Sequence, residues 1–166
     1  MSTILLVQPS LRNPRRYTLL STWLPVVIGL GVIACESTGT MASTHTSRIL
    51  RPFFEWLFGR MTDERWGFFH MLIRKGIGHI GGYGALGLCW LRAWLITFAN
   101  RFSYWNWRLL CSALAVLCTF LTGAADEWHQ TFLPGRTGQL SDALLDAAGA
   151  AVLILLLMIV WCTRKE

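Results

Sequence analysis

The chain has 166 residues, of which 54% are hydrophobic and only 14% are charged. Soluble globular domains carry nearer a quarter charged residues, so this balance excludes an ordinary soluble domain and indicates an integral membrane protein. The formal net charge is +6. Most basic residues flank apolar segments, so we expect anionic lipid headgroups as partners. The sequence has no zinc-finger spacing and no RNA-binding aromatic signature, so we expect no nucleic-acid binding.

The first apolar run, Tyr17–Cys35, follows a basic segment, residues 1–16, with three arginines and no acid. Nineteen residues are enough for a helix to cross about 30 Å of hydrocarbon. A cleaved signal peptide has the same order of segments, and Val32–Cys35 is similar to the motif before a lipid-modified cysteine. A signal core typically has only about 7–15 residues, so we favour a retained span. Lipid attachment to Cys35 after cleavage stays open.

Residues 36–75 form the one long connection. Apolar residues recur at helical spacing from Ile49 to Phe58, with charged residues between them. This pattern predicts an amphipathic helix lying in the membrane interface. A second helix is predicted to start at Asp63. These helices are expected either to cover the rim of the bundle or to recognise lipid.

Three further spans are predicted at residues 76–99, 107–125 and 143–162. The second is rich in glycine, and Gly78-x-x-x-Gly82 fits close packing against another membrane helix. Residues 101–107 are predicted to be a short loop with interfacial aromatics. The expected fold is therefore all-α: an integral membrane four-helix bundle, one domain over residues 17–162, with amphipathic interfacial helices in its first loop and a short tail at 163–166.

Four spans place both termini on the same side of the membrane. Eight basic residues then fall on the side of the termini and seven on the other. The segments beside the termini are short and almost free of acid, and short segments weigh most in the positive-inside rule. We therefore predict a multi-pass protein of the inner (plasma) membrane with both termini cytoplasmic.

Polar residues gather at one end of the predicted bundle. Lys75, His79 and Tyr83 are four residues apart, which places them along one helical face, and Asp142 and Asp146 share a face in the same way. Under the four-span topology these sets lie at the same outward-facing end and are expected to converge on one pocket. The candidate site comprises Lys75, His79, Tyr83, Asp126, Glu127, Gln130, Arg136, Asp142 and Asp146.

The charges of this site are expected to pair, because an unpaired charge in hydrocarbon costs at least about 2.5 kcal/mol. Lys75 and Arg136 are the expected cations for the four acids. Ser141 is a predicted N-cap of the last span, which would give Asp142 a purely structural role at the positive helix end. Capping does not explain Asp146, one turn deeper.

Pro134-Gly135 predicts a turn that holds Arg136 over the mouth of the bundle. Its guanidinium is expected either to bind a phosphate or carboxylate bidentately or to anchor the chain to headgroups. His129 is a candidate metal ligand together with His79, Asp126 and Glu127. No H-x-x-x-H or H-E-x-x-H spacing supports such a site, so we predict no metal and no cofactor.

Two motifs carry a family resemblance. The stretch from Asp126 to Gly138, which reads DEWHQTFLPGRTG and is followed by Asp142, Asp146 and Gly149, resembles the signature of VanZ-like membrane proteins. The earlier stretch Arg74–Tyr83, RKGIGHIGGY, is similar to the other motif of that family. Two positions depart from the pattern: Gly82 stands where relatives often have an acid, and Asp146 where they often have asparagine.

The resemblance implies a four-helix membrane protein of a family whose namesake is linked to glycopeptide resistance, especially to teicoplanin. We therefore expect a non-enzymatic envelope protein that binds a lipid headgroup, a lipid-linked wall precursor or a lipophilic glycopeptide. One alternative is a membrane enzyme acting on a lipid-linked phosphate, with His79 as nucleophile or base. A small transporter is the other alternative, although the sequence has no inverted repeat.

Overall fold

The computed structural model describes residues 18–39, 43–99 and 104–163. The predicted basic tail at 1–16 and the last three residues of the predicted tail at 163–166 lie outside these ranges. Every regular element in the described residues is helical, which confirms the all-α prediction. The α-helices are α1 (Leu19–Glu36), α2 (Ser43–Phe58), α3 (Asp63–Ile73), α4 (Gly84–Thr97), α5 (Tyr104–Gln130) and α6 (Leu140–Thr163), and a π-helical segment, Arg74–Tyr83, joins α3 to α4.

The bundle is built on α4, α5 and α6, which pack against one another, while α1 lies against α4. The buried core between α4, α5 and α6 is apolar and consists of Leu91, Leu95, Trp107, Cys111, Ala115 and Ile154. A smaller cluster of Ile33, Tyr83 and Leu86 joins α1 to the bundle. The four-helix prediction is therefore correct.

Three described helices are long and apolar enough to cross a membrane: α1, α5 over Asn106–Gln130, and α6. The predicted span at 76–99 is built differently. Its α-helical part, α4, has only 14 residues, fewer than the roughly 20 that a straight span needs. The preceding ten residues continue the helical path in the wider π form.

The glycine content of this segment accounts for the π form. Gly76, Gly78, Gly81 and Gly82 lower its α-helical propensity, and Gly81 and Gly82 lie close to the carbonyl oxygens five residues earlier. Pieces of π-helix are rare and occur frequently at functional sites.

Gly78 and Gly82 do not contact another helix of the chain, so the prediction that they serve close helix packing is wrong within the chain. A Cβ added at Gly78 would meet no atom within 4 Å. The small residues that matter are instead Gly87 and Gly149. A Cβ at Gly87 would lie 2.5 Å from Ala150 Cβ, and one at Gly149 would lie 2.8 Å from the Ile80 carbonyl oxygen. These two glycines let α6 approach α4 and the π segment.

The predicted amphipathic helices of the first loop are α2 and α3. Arg51 ties them together, because its guanidinium binds Glu55 at 2.9 Å on α2 and Asp63 at 2.7 Å on α3. Part of the apolar side of α2 faces away from the bundle, where Ile49 and Trp56 are 74% and 78% exposed. Such a face suits the boundary between headgroups and acyl chains.

The predicted boundaries of two helices, α5 and α6, are wrong. Residues 104–106, predicted as loop, already belong to α5. This helix continues past Ala125 to Gln130, so Asp126 and Glu127 lie in its last turns. Ser141 is not an N-cap, because α6 starts at Leu140 and the Asp142 amide already donates to the Gln139 carbonyl. Asp142 nevertheless lies in the first turn, where a negative charge is favourable.

Candidate functional site

Three polar side chains of the π segment, Lys75, His79 and Tyr83, each meet an acid on a neighbouring helix. Lys75 Nζ lies 2.9 Å from Asp142 Oδ1 on α6. One turn along, His79 Nδ1 lies 2.9 Å from Asp146 Oδ1. Tyr83 donates its hydroxyl proton to Asp126 Oδ2 on α5 at 2.9 Å. The three pairs form a ladder from the mouth of the bundle into its interior.

A second chain of hydrogen bonds connects Asp126 to Arg136. Gln130 Nε2 donates to Asp126 Oδ2 at 2.9 Å, and Arg136 Nη1 donates to Gln130 Oε1 at 3.3 Å. Arg136 Nη2 donates to the carbonyl oxygens of Glu36 and Thr38, both at 2.8 Å. The loop after α5 is thereby fastened to the end of α1.

Arg136 does not pair with an acid, contrary to the sequence prediction. Within the described ranges no carboxylate oxygen lies within 4 Å of its guanidinium. Its Nε is buried and makes no hydrogen bond there. The partners of this arginine are neutral oxygens, so its positive charge is not cancelled by an adjacent carboxylate.

Two acids of the site are buried. Asp146 is fully buried, and its Oδ2 has no hydrogen-bond partner among the residues that the structure describes. That oxygen lies against Gly123, where an added Cβ would come within 2.6 Å of it. Glu127 is 4% exposed, and its Oε2 accepts a hydrogen bond from the Gln139 amide at 2.8 Å. All nine predicted site residues therefore lie in one connected region.

Metal-type donors also converge in this region. One donor atom from each of His79, Glu127 and Asp142 lies within 4.8 Å of the others. His79 and Glu127 are among the metal-ligand candidates that the sequence offers, whereas Asp142 is not, and His129 does not join them. His129 is exposed, and its Nδ1 lies 3.0 Å from Ser37 Oγ at the end of α1.

Two adjoining cavities open onto these residues. The first, of about 200 Å³, has apolar walls from α1, α2 and the start of the π segment, including Ile33, Leu50 and Ile77. The second, of about 260 Å³, is polar and is lined by side chains that include Lys75 and Asp142. Four residues line both cavities: Arg74, His79, Gln130 and Arg136.

The sequence prediction of the site missed Arg74 and His70. Both line the polar cavity, and they are four residues apart, so one helical face carries them. His70 is 7% exposed, stacks on Trp66 with ring centroids 5.4 Å apart, and places Nε2 3.0 Å from Thr46 Oγ1 on α2. The i, i+4 spacing was the available signal. The family motif begins at Arg74, so His70 lies outside it, whereas Arg74 lies within it but was not among the predicted site residues.

The packing of α2 on α3 is expected to weaken in acid because of His70. Burial lowers the pKa of His70, and the charge of Arg74 lowers it further. His70 therefore binds a proton at lower pH in the folded state than in the unfolded chain, where its pKa is about 6.5. The contribution of neutral His70 to the free energy of unfolding is present above that pH and is lost as pH falls toward the lowered pKa. Protection factors of α2 amides in hydrogen exchange should fall several-fold between pH 7.5 and pH 5.5.

Two variants test the origin of this acid response. Glutamine at position 70 offers Thr46 a hydrogen-bond partner that does not titrate, so His70→Gln should make α2 protection nearly independent of pH. His45→Gln, at an exposed histidine of the same helix pair, should leave the response as it is in the native chain. An identical response in His70→Gln and the native protein would exclude this histidine as its cause.

The chain matches a known protein family. A protein-family model described as VanZ/LLP1 matches residues 20–161. This range runs from α1 to α6 and contains every residue of the candidate site. Neither the curated proteins nor the solved structures include a significant match to the chain.

Proposed function

The chain belongs to the VanZ/LLP1 family, and from that premise we propose that it is an envelope protein of the plasma membrane that binds an anionic amphiphile. The observation that carries the proposal is the shared wall of the two cavities. Arg74, His79, Gln130 and Arg136 stand between an apolar space and a polar one. This arrangement suits an amphiphile, whose hydrocarbon chain would occupy the apolar cavity and whose headgroup would occupy the polar one.

The apolar cavity is suited to hydrocarbon. Ile33 comes from α1 and Leu50 from α2, while Ile73 is the last residue of α3 and Ile77 lies in the π segment. Helix α2 also presents Phe53 and Leu57, which are 55% and 53% exposed. A chain that enters from the lipid interface would therefore remain in contact with apolar side chains.

The charge of Arg136 suits an anionic headgroup. Lys75 is occupied by Asp142, whereas Arg136 binds only neutral oxygens among the described residues. A phosphate or carboxylate in the shared region would provide the missing counter-charge, and bonds between arginine and such anions are about twice as strong as neutral ones. The ligand class therefore includes a lipid headgroup, a lipid-linked wall precursor and a lipophilic glycopeptide.

The orientation of the site is a further part of the proposal. We place both termini in the cytoplasm and the cavities at the outer surface, because the short segments beside the termini are basic and almost free of acid. A cysteine introduced at position 136 should then react with an impermeant reagent in intact cells. Reaction only after permeabilisation would reverse the orientation.

One binding experiment tests the proposal directly. The purified protein in detergent is titrated with a polyprenyl phosphate and with the corresponding uncharged polyprenol. The native protein should prefer the phosphate, and Arg136→Gln should weaken phosphate binding by roughly 10–100-fold, since a charged hydrogen bond contributes about 1.5–3 kcal/mol. Arg60→Gln removes an equal charge at an exposed position outside both cavities and should change little. Equal affinity of the native protein for phosphate and alcohol would refute an anion-specific site.

A narrower proposal concerns glycopeptides. The family namesake is associated with resistance to these drugs, and the two cavities would suit the hydrocarbon tail and an ionised group of a lipophilic member. Sensitivity of a deletion strain to teicoplanin tests this point. An unchanged sensitivity would remove the resistance role and leave the lipid-binding proposal intact.

Hydrolysis of a lipid-linked phosphate is the second candidate function. The observation in its favour is that His79 is held through Nδ1 by Asp146 while its ring lines both cavities. An oriented imidazole of this kind is suited to general base catalysis. Release of phosphate from the bound polyprenyl phosphate by the native protein would identify an enzyme rather than a binding protein.

A further inference from the structure

We propose that His79, Glu127 and Asp142 bind a divalent transition-metal ion. The three residues come from the π segment, α5 and α6, so the site joins three elements of the bundle. Their donor atoms lie within 4.8 Å of one another, and His79 Nε2 is 3.9 Å from Asp142 Oδ2. A tetrahedral ion with bonds of about 2.0–2.1 Å holds its ligands about 3.3 Å apart. Small inward movements of the side chains would therefore complete the site.

The hydrogen bond behind His79 supports this role. Asp146 is fully buried and lies 2.9 Å from Nδ1 of the imidazole. With that nitrogen occupied, Nε2 is left to face Asp142. A histidine that binds a metal almost always has its other ring nitrogen held by a carboxylate or carbonyl, which fixes the tautomer and the ring orientation. Asp146 is thus placed as a positioning residue rather than a ligand.

The burial of Glu127 is an independent indication of a missing cation. This side chain is 4% exposed, yet no basic nitrogen lies within 4 Å of its carboxylate in the described ranges. The Gln139 amide binds only Oε2. Buried charges in proteins are paired or coordinate metals, because an isolated buried carboxylate is very costly. A metal ion shared with His79 and Asp142 would supply the counter-charge.

The ligand set indicates which ions would bind. One imidazole nitrogen and two carboxylate oxygens, without a thiolate, suit Zn²⁺ or Mn²⁺ better than Cu⁺. Three protein ligands leave a coordination position for water or for an anion. Since His79 and Asp142 both line the polar cavity, that position would face the same space as Arg136. Metal binding itself does not depend on the amphiphile-binding proposal.

The test uses the metal alone. Untagged protein, freed of metal with a chelator, is titrated with Zn²⁺ by calorimetry and with Co²⁺ by visible absorption. We expect one ion per chain and a cobalt spectrum of nitrogen and oxygen ligation without a thiolate charge-transfer band, which excludes binding by the free cysteines. His79→Gln and Glu127→Gln should each weaken zinc binding at least about 100-fold, given that even an outer-shell change costs roughly 10–100-fold.

Matched controls and a third variant make the result decisive. His129→Gln and Glu64→Gln make the same changes at exposed positions outside the site and should bind zinc within threefold of the native protein. Asp142→Asn alters a ligand that is only partly buried, so it tests the site even if Glu127→Gln does not fold. The native protein binding no stoichiometric ion, or His129→Gln losing as much affinity as His79→Gln, would overturn the proposal.

Discussion

Replacing His79 by alanine is expected to destabilise the bundle by about 3–5 kcal/mol, the cost of breaking a buried charged pair from one side. The reason is Asp146, which is fully buried and has His79 as its hydrogen-bond partner in the described structure. Its other oxygen already lacks a partner, so the variant would leave the whole carboxylate unsatisfied. The loss should appear as a large fall in Tm of the detergent-solubilised protein, followed by size-exclusion fluorescence.

A second substitution distinguishes the buried charge from simple loss of packing. Adding Asp146→Asn to His79→Ala removes the unpaired charge and should recover at least half of the lost stability. His129→Ala, at an exposed histidine, should change stability by no more than about 0.5 kcal/mol. If the double variant is no more stable than His79→Ala, the loss comes from the cavity left by the imidazole and not from Asp146.

The helices of this protein were predictable from the sequence because their signals are local. Apolar length located α1, α5 and α6, and the spacing from Ile49 to Phe58 located α2. The three-residue set on the π segment was also visible, since residues four apart share a face. Apolar length and residue spacing can be read within a single segment. Together with the four-span topology, they predicted which residues would lie at one end of the bundle.

The pairing of those residues was not predictable, because it depends on how three helices sit relative to one another. Asp142 and Asp146 share one face of α6, yet Lys75 meets the first and His79 the second. Arg136 was expected to find an acid, but the loop that carries it is fastened to the carbonyl oxygens of Glu36 and Thr38. No periodicity in a single segment encodes contacts between residues about a hundred positions apart.

The π form of Arg74–Tyr83 is another feature that local rules missed. The four-residue spacing of Gly78 and Gly82 predicted close helix packing, but these glycines lie in the wider π segment. The close contacts between helices are made instead at Gly87 and Gly149. The difference lies in which glycines face a neighbouring backbone, and that is decided by the packed bundle.

Substituting Gly138 by alanine is expected to cost at least about 2–3 kcal/mol and to disrupt ligand binding, since overpacking typically costs 1–3 kcal/mol and this contact involves backbone. An added Cβ would overlap the carbonyl oxygen of Glu127 and lie 2.8 Å from Thr131 Cγ2. The loop after α5 would have to move off that helix. Its movement would break the bond from the Gln139 amide to Glu127 and shift Arg136. Thermal unfolding and the polyprenyl phosphate titration measure the two effects.

Two other glycines show that the effect comes from contact and not from loss of glycine as such. Gly135 has φ of +77°, and an added Cβ would meet no atom within 4 Å, so Gly135→Ala should cost only the roughly 1–2 kcal/mol of a left-handed backbone. Gly31 lies on α1 with no atom within 4 Å of an added Cβ, and Gly31→Ala should be neutral or stabilising by up to about 1 kcal/mol. If Gly138→Ala resembled Gly31→Ala, the loop would not rest on Glu127. The position of Arg136 over the two cavities would then need another cause.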